Sequence, residues 1–165
     1  MLIISARRLA AAASLVVLAA PLAHAQVGTA TQTVTYAVNA INQIAFTGSP
    51  SLTITTAVAG SAPTSVTDAT AVWAVTTNQT GAKITASIPT IMPSGLTLSA
   101  NLASPSGGSS AGSQALGITA VDLVTGITKL AQSALVVTYT LDATVAAGVV
   151  SSASRVVTYT ITGGV

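Results

Sequence analysis

Residues able to do acid–base, nucleophilic or metal chemistry are few in this 165-residue chain and lie far apart. There is no Cys, and the one His is His24. Residues 26–165 therefore lack the ligands of the usual zinc sites and the bases of Cys–His dyads and Ser–His–Asp triads. The charged residues beyond position 25 are Asp68, Lys83, Asp122, Lys129, Asp142 and Arg155.

The spacing of these charges predicts no catalytic site. Three scattered Asp provide neither a carboxylate pair for glycoside hydrolysis nor a short-spaced oxygen cluster for Ca²⁺. No Ser-x-x-Lys motif includes either Lys, and three scattered cations leave no footprint for nucleic acid. We therefore expect a protein that is not an enzyme, uses no metal or other cofactor and does not bind nucleic acid.

Residues 1–25 have the three-part pattern of a secretory signal peptide. Arg7 and Arg8, which account for the net charge of +2, precede an apolar run at 9–20, and Ala25 ends a small-x-small cleavage site. As a helix this run spans about 18 Å, less than the roughly 30 Å of a bilayer core. No later stretch is apolar enough to cross a membrane. We expect export, with the mature protein secreted or at the cell surface.

Residues 26–165 are predicted to form one all-β domain. Thr and Val favour strands, whereas Ser, Gly and Pro mark turns. Residues 120–125 favour one helical turn closed by Gly126. About eight or nine short strands with regular turns predict an antiparallel β-sandwich. The candidate strands alternate apolar and polar residues, except for the more continuously apolar 69–77, and lie at 33–38, 51–55, 69–77, 83–88, 95–102, 116–120, 135–141 and 155–161.

The aromatic residues are few, and most are predicted to lie in the core. Trp73 lies in a nearly continuous apolar strand, and Tyr139 and Tyr159 alternate with Val and Ile. Segments 135–141 and 155–161 share the string Val-Val-Thr-Tyr-Thr. Because this string does not recur many times, it favours a terminal hairpin rather than a solenoid. Both strands of that hairpin would show the same face to the core.

Three segments resemble parts of pilin-like secreted bacterial domains. Residues 142–149 and 155–162 are similar to the C-terminal hairpin of spore-coat-U-type proteins and chaperone–usher fimbrial subunits, where a small-residue turn precedes a Thr/Val strand. Residues 31–38 resemble their alternating N-terminal strand. The resemblance implies an incomplete immunoglobulin-like sandwich whose gap is filled by a strand from a neighbouring subunit. A dedicated chaperone is a further candidate partner.

The uncharged segment 26–38 is the candidate assembly strand. As a donor it would add hydrogen bonds to the open edge of another subunit and seat Val34, Tyr36 and Val38 in a groove. It could equally be the first strand of its own sandwich. Natural monomers usually protect their sheet edges with charges or Pro, and few charges are present here. The sequence thus predicts a homo-oligomer or fibre subunit of a pilus or coat.

The alternative function is a monomeric surface adhesin, or a module that binds carbohydrate or another ligand through its loops. Residues 104–113 form the longest Ser- and Gly-rich loop and are the candidate recognition segment. The two alternatives differ in the role of the N-terminal segment. A fibre subunit would lose assembly when residues 26–38 are removed, whereas a self-contained module would lose its fold.

Overall fold

The computed structural model describes residues 27–164, so the predicted signal peptide of residues 1–25 lies outside the described residues. The described chain contains nine β-strands and one short 3₁₀ turn, and no helix in it has the length and apolar character needed to cross a bilayer. In chain order the elements are β1 (Asn42–Thr47), β2 (Val66–Thr77), β3 (Ala82–Ser87), β4 (Leu96–Leu102), β5 (Ser109–Ser110), β6 (Gln114–Ala115), β7 (Val121–Ile127), β8 (Leu130–Ala143), the 3₁₀ turn (Val145–Ala147) and β9 (Thr158–Thr162).

The strands form two antiparallel sheets, as the alternating sequence predicts. The first sheet has the order β1-β2-β8-β4-β6, and the second has the order β5-β7-β3-β9. The all-β prediction is therefore confirmed, and the two-sheet arrangement is consistent with a sandwich. The edge strands are β1 and β6 in one sheet and β5 and β9 in the other.

One hydrophobic core is shared by both sheets. Within β3 and β4, buried and partly exposed positions alternate strictly from Ala82 to Ser87 and from Leu98 to Leu102. Each large aliphatic side chain buried there contributes about 1.5–3 kcal/mol relative to exposure. The largest fully buried side chains, drawn from both sheets, are Trp73, Ile84, Ile88, Leu102, Leu123, Ile127, Val75, Val124 and Val137.

Residues 27–36 form a unit of their own, without regular secondary structure and exposed at every position. The strand predicted at 33–38 is absent among the described residues. A single alternating segment has no ladder partner for its backbone and no surface to cover its apolar face, so alternation alone does not order it as a strand.

The predicted hairpin of the last two strands is wrong. Strand β8 pairs with β2 and β4 in the first sheet, whereas β9 pairs with β3 in the second. The shared Val-Val-Thr-Tyr-Thr pattern reflects a common inward face, because the hydroxyls of Tyr139 and Tyr159 meet. Identical alternation shows which face is buried, but it does not identify the strand's neighbour.

The helical turn expected at 120–125 is also wrong, because these residues lie largely in β7. The strand pairs with β3 across two register irregularities, and Leu123, Val124 and Ile127 are fully buried. Gly126, at a φ of +75°, lies inside this strand and does not close a helix. A short apolar run is ambiguous between helix and strand. Here the run forms a strand, because it pairs with β3.

Candidate functional site

A cavity of about 610 Å³ with a mixed apolar and polar lining opens on the domain formed by the residues after position 36. Two chain segments without ladder partners line it, together with the 3₁₀ turn and the ends of β4 and β8. We call this cavity the groove. Its apolar lining includes Leu52, Ile54, Met92, Leu96, Leu141 and Val150.

The first wall of the groove is the segment 51–57. Its exposure alternates as in a strand, with Leu52 and Ile54 partly buried and their neighbours exposed. Within the described chain, residues 52–55 make no backbone hydrogen bond, and only an isolated bridge joins Ala57 to Pro63. The strand predicted at 51–55 therefore has the side-chain pattern of a strand but no ladder partner.

Asp68 fixes the start of this wall. Its carboxylate accepts hydrogen bonds from the backbone N–H of Ser51 at 2.8 Å and from the N–H and hydroxyl of Thr70 at 2.8 and 2.6 Å. These hydrogen bonds, that of the Thr70 hydroxyl above all, hold the pKa of the Asp68 carboxyl below its ordinary value. The wall is therefore tied to β2 at one point while its following backbone groups stay unbonded.

The second wall is the segment 149–157. Among residues 27–164 this segment makes no backbone–backbone hydrogen bond, and the ladder of β9 begins only at Thr158. The predicted strand 155–161 is therefore paired over part of its length. Its alternation nevertheless continues unbroken, because Arg155, Val157 and Tyr159 are partly buried and the residues between them are exposed.

The 3₁₀ turn beside the groove rests on Gly95. The Thr144 N–H donates to the Gly95 carbonyl at 2.8 Å, and the hydroxyl of Thr144 lies 3.4 Å from the same oxygen. Gly95 has a φ of +79°, and a Cβ built there would lie 2.7 Å from the backbone nitrogen of Ala147. Only Gly fits this close approach of two backbones.

Arg155 is the one charged side chain among the groove's lining residues. One guanidinium nitrogen donates to the Ser154 carbonyl at 2.9 Å. Its Nε atom is buried and has no hydrogen-bond partner among the described residues. In the sequence alone, Arg155 is one of few charges available to protect a strand edge. Because Arg155 lies two residues before Val157 and four before Tyr159, the alternation alone would place its side chain on the same inward face.

The predicted assembly residues lie on the surface. Val34, Tyr36 and Val38 are 73%, 90% and 79% exposed. The chain becomes anchored directly after them, because the side chain of Asn78 donates to the Asn39 carbonyl and accepts from the Ile41 N–H, both at 2.8 Å.

The predicted core aromatics lie together, with the Phe46 ring added to them. We call Phe46, Trp73, Tyr139 and Tyr159 the aromatic cluster. The Phe46 ring stacks 3.8 Å from Tyr159 and 6.3 Å from Trp73, measured between ring centroids. Trp73 and Tyr139 are buried and Tyr159 is half-buried. Sequence reasoning missed β1, and with it Phe46, because Asn42 and Gln43 begin that strand.

The tyrosine hydroxyls of the cluster form a hydrogen-bonded pair. The oxygens of Tyr139 and Tyr159 lie 2.5 Å apart. Burial raises the pKa of both phenols, and for Tyr159 the hydrogen bond to Tyr139 raises the pKa further. Both groups therefore remain neutral donors and acceptors over the ordinary pH range.

The three Asp lie apart and are each engaged locally. Asp122 forms an exposed ion pair with Lys83 at 3.0 Å, and Asp142 accepts a hydrogen bond from the Ser65 hydroxyl. In the part of the chain that the structure describes, no three His, Cys, Asp or Glu side chains gather as a metal site would require. The acidic residues serve here as strand and turn contacts.

The predicted recognition loop, residues 104–113, contains β5 and several hydrogen bonds. The Ser106 N–H donates to the Gln132 side chain at 2.8 Å, and the Ser110 hydroxyl donates to Asn101 at 3.0 Å. Strand β5 pairs with β7. The segment is thus fixed to both sheets.

Comparison with known proteins adds no neighbour to this description. No protein-family model matches the chain, and no match was found among curated proteins or solved structures.

Proposed function

We propose that this protein is a secreted structural subunit of a cell-surface fibre, pilus or coat that assembles by β-strand pairing between subunits. The groove would accept residues 26–38 of a second copy, which completes an immunoglobulin-like sandwich. One observation carries the proposal. Residues 51–55 and 155–157 of the groove walls have the side-chain alternation of strands but no backbone–backbone partner among the described residues, while an exposed alternating segment precedes the domain.

The backbone of the groove walls supports this function. Backbone N–H and C=O groups of folded proteins are nearly always paired, and unpaired strand edges are sites for strand addition. Residues 52–55 and 149–157 leave such groups without backbone–backbone partners among the described residues, and both segments contribute residues to the lining of the groove. An inserted strand would satisfy both rows of groups at once, which is the basis of β-augmentation.

The side chains of the N-terminal segment support the same function. Val34, Tyr36 and Val38 share one parity, and a strand would direct all three to one face. Burying each of them contributes about 1.5–3 kcal/mol. Its side chains carry no charge, so burying Val34, Tyr36 and Val38 requires no charged side chain of this segment to lose its water shell. This is a non-enzymatic role that needs no cofactor.

The anchor at Asn78 supports a donor role for the preceding residues. Its hydrogen bonds to Asn39 and Ile41 fix the chain at the point where the exposed segment ends. The segment therefore leaves a defined position on the domain. A subunit that carries both a groove and such a segment forms head-to-tail contacts, and these build filaments when they do not close into rings.

The test is light scattering after gel filtration of residues 26–165, with negative-stain images of the same fractions. We expect filaments or a ladder of multiples. The double variant Val34→Ser/Tyr36→Ser should lose them, because it removes the apolar face. The matched control Thr33→Ser/Thr35→Ser changes the opposite face and should assemble normally.

A sharp monomer at high concentration for the unaltered chain would contradict spontaneous assembly. Filaments that persist in Val34→Ser/Tyr36→Ser would contradict the role of this segment. The monomer result would favour the alternative of a loop-based adhesin, whose hydrogen-bonded loop at 104–113 could present a fixed surface to a ligand.

A further inference from the structure

The groove contains a cation whose hydrogen bonds are incomplete. A guanidinium carries five N–H donors and no acceptor. Among the described residues, Arg155 gives one hydrogen bond to its neighbour Ser154, and its buried Nε has no partner. No carboxylate of residues 27–164 lies within 4.0 Å of its guanidinium nitrogens. A buried donor left unsatisfied costs about 1–3 kcal/mol, so a group that enters the groove gains by accepting from it.

Arg155 lies on the inward face of the last alternating segment. It shares its parity with Val157, Tyr159 and Ile161, so the inward face reads as one cation followed by apolar side chains. An inward-pointing charge on an edge strand is a known means of discouraging indiscriminate pairing. A wholly apolar strand laid over this position would desolvate the guanidinium without replacing its water.

The N-terminal segment carries the complementary pattern. Val34, Tyr36 and Val38 share their parity with Gln32, which directly precedes them on the same face. That face reads as one amide followed by apolar side chains. The carbonyl oxygen of the Gln32 amide is an acceptor at the end of a long side chain. The side chains of opposite parity nearby are those of Thr31, Thr33 and Thr35, whose hydroxyls also accept but lie closer to the backbone.

We propose that Arg155 sets the register of the inserted strand by hydrogen bonding to Gln32 of a second copy. This inference rests on the proposed strand exchange and names the contact that makes it selective. Because a slip of one residue would bring a Thr of the opposite face to this position and turn Val34 outward, the Arg155–Gln32 contact and the apolar contacts select the same alignment. Strands with an apolar or cationic residue in place of Gln32 would be rejected.

The test uses charge reversal in the full mature chain, residues 26–165, with assembly followed by light scattering over a concentration series. Gln32→Lys places a cation against Arg155, and we expect the concentration needed for assembly to rise at least about tenfold. Thr33→Lys adds the same charge on the opposite face and should raise it less than about threefold. The double variant Gln32→Lys/Arg155→Glu should restore assembly to within about threefold of the unaltered chain.

Two controls keep the result clear. Thermal unfolding of each variant shows whether it folds, and if Arg155→Glu does not fold, Arg155→Gln replaces it, because its amide can accept from the introduced Lys. Equal effects of Gln32→Lys and Thr33→Lys, or a double variant without recovery, would overturn this inference while leaving strand exchange intact. Failure of the unaltered chain to assemble would overturn strand exchange and this contact together.

Discussion

The aromatic cluster and the groove differ in how completely their chain segments are paired within the subunit. In the cluster, β1, β2, β8 and β9 supply rings that stack and hydroxyls that pair, and their backbones lie in ladders. In the groove, residues 51–55 and 155–157 have strand-like alternation but no ladder among the described residues, and their apolar side chains are only partly covered. We therefore expect changes in the cluster to affect stability, and changes in the groove to affect the proposed assembly.

The last strand joins the two regions. From Thr158 onward it pairs with β3, and Tyr159 packs against Phe46. Before Thr158 the same alternation continues to Arg155 without a partner. The alternating segment 155–161 is thus paired with another strand of the described chain at its C-terminal end and unpaired at its N-terminal end. Changes in the cluster should alter folding, whereas changes in the groove or the N-terminal segment should alter assembly.

The largest expected effect is that of Trp73→Ala. Trp73 is 1% exposed, and truncating a buried Trp costs about 3–5 kcal/mol in the free energy of unfolding. Tyr36→Ala is the matched control, because it truncates an aromatic residue that is 90% exposed. We expect Tyr36→Ala to leave monomer stability within about 0.5 kcal/mol. Urea unfolding of both variants measures the difference, and equal losses would refute the division between the two regions.

Gly95→Ala should have the next largest effect. It would place a Cβ 2.7 Å from the Ala147 nitrogen at a φ of +79°. Gly112→Ala is the control, because its φ is +75° but nothing lies within 4 Å of the added carbon. Both changes incur the conformational cost of about 1 kcal/mol, and Gly95→Ala adds the displacement of the 3₁₀ turn. Unfolding free energies that are equal for the two variants would show that the turn yields without cost.

The tyrosine pair should make stability depend on pH in alkaline solution. Because the folded-state pKa of both phenols is raised, their contribution is complete below the unfolded value of about 10 and is lost as pH rises above it. Tyr159→Phe should cost about 0.5–1.5 kcal/mol at neutral pH. Urea unfolding at a series of pH values tests this. An equally steep alkaline decline in Tyr139→Phe/Tyr159→Phe would assign the effect to other groups.

The smallest expected effect is that of salt. The exposed Lys83–Asp122 pair contributes at most about 1 kcal/mol, and the N-terminal segment carries no charge. We therefore expect the concentration needed for assembly to change less than about threefold between low salt and 0.5 M NaCl, and little between about pH 5 and 9. Light scattering across these conditions is the measurement. A strong salt dependence would show that charges, rather than strand pairing, drive assembly.

Sequence reasoning predicted the elements whose side-chain pattern is local. The alternation of β3 and β4 and the apolar stretch around Trp73 all appear as strands close to their predicted limits. Which strands pair with each other was harder to predict from the sequence, because pairing depends on which edges remain free after other strands have docked. That is why β7 was predicted as a turn and why β8 and β9 were predicted as a hairpin.

The groove could be predicted only in part. Its walls at 51–55 and 155–157 were recognised as strands from their alternation, but the absence of a ladder depends on the rest of the fold. The turn at Val145–Ala147 and its contact with Gly95 join residues far apart in sequence. The inward position of Arg155 was readable from its parity with Val157, although a single charge in an apolar pattern is usually attributed to a solvent-facing position.

Amide hydrogen exchange of residues 26–165, before and after assembly, tests the central claim most directly. If a strand fills the groove, alternate amides of residues 52–55 and 151–157 exchange rapidly in the unassembled subunit and become protected in the assembled one. The amides of residues 31–38 also become protected, because an inserted strand bonds to both walls. Amides of β3 should be protected in both states. Assembly that leaves both groove walls unprotected would contradict the claim that strand pairing in the groove joins the subunits.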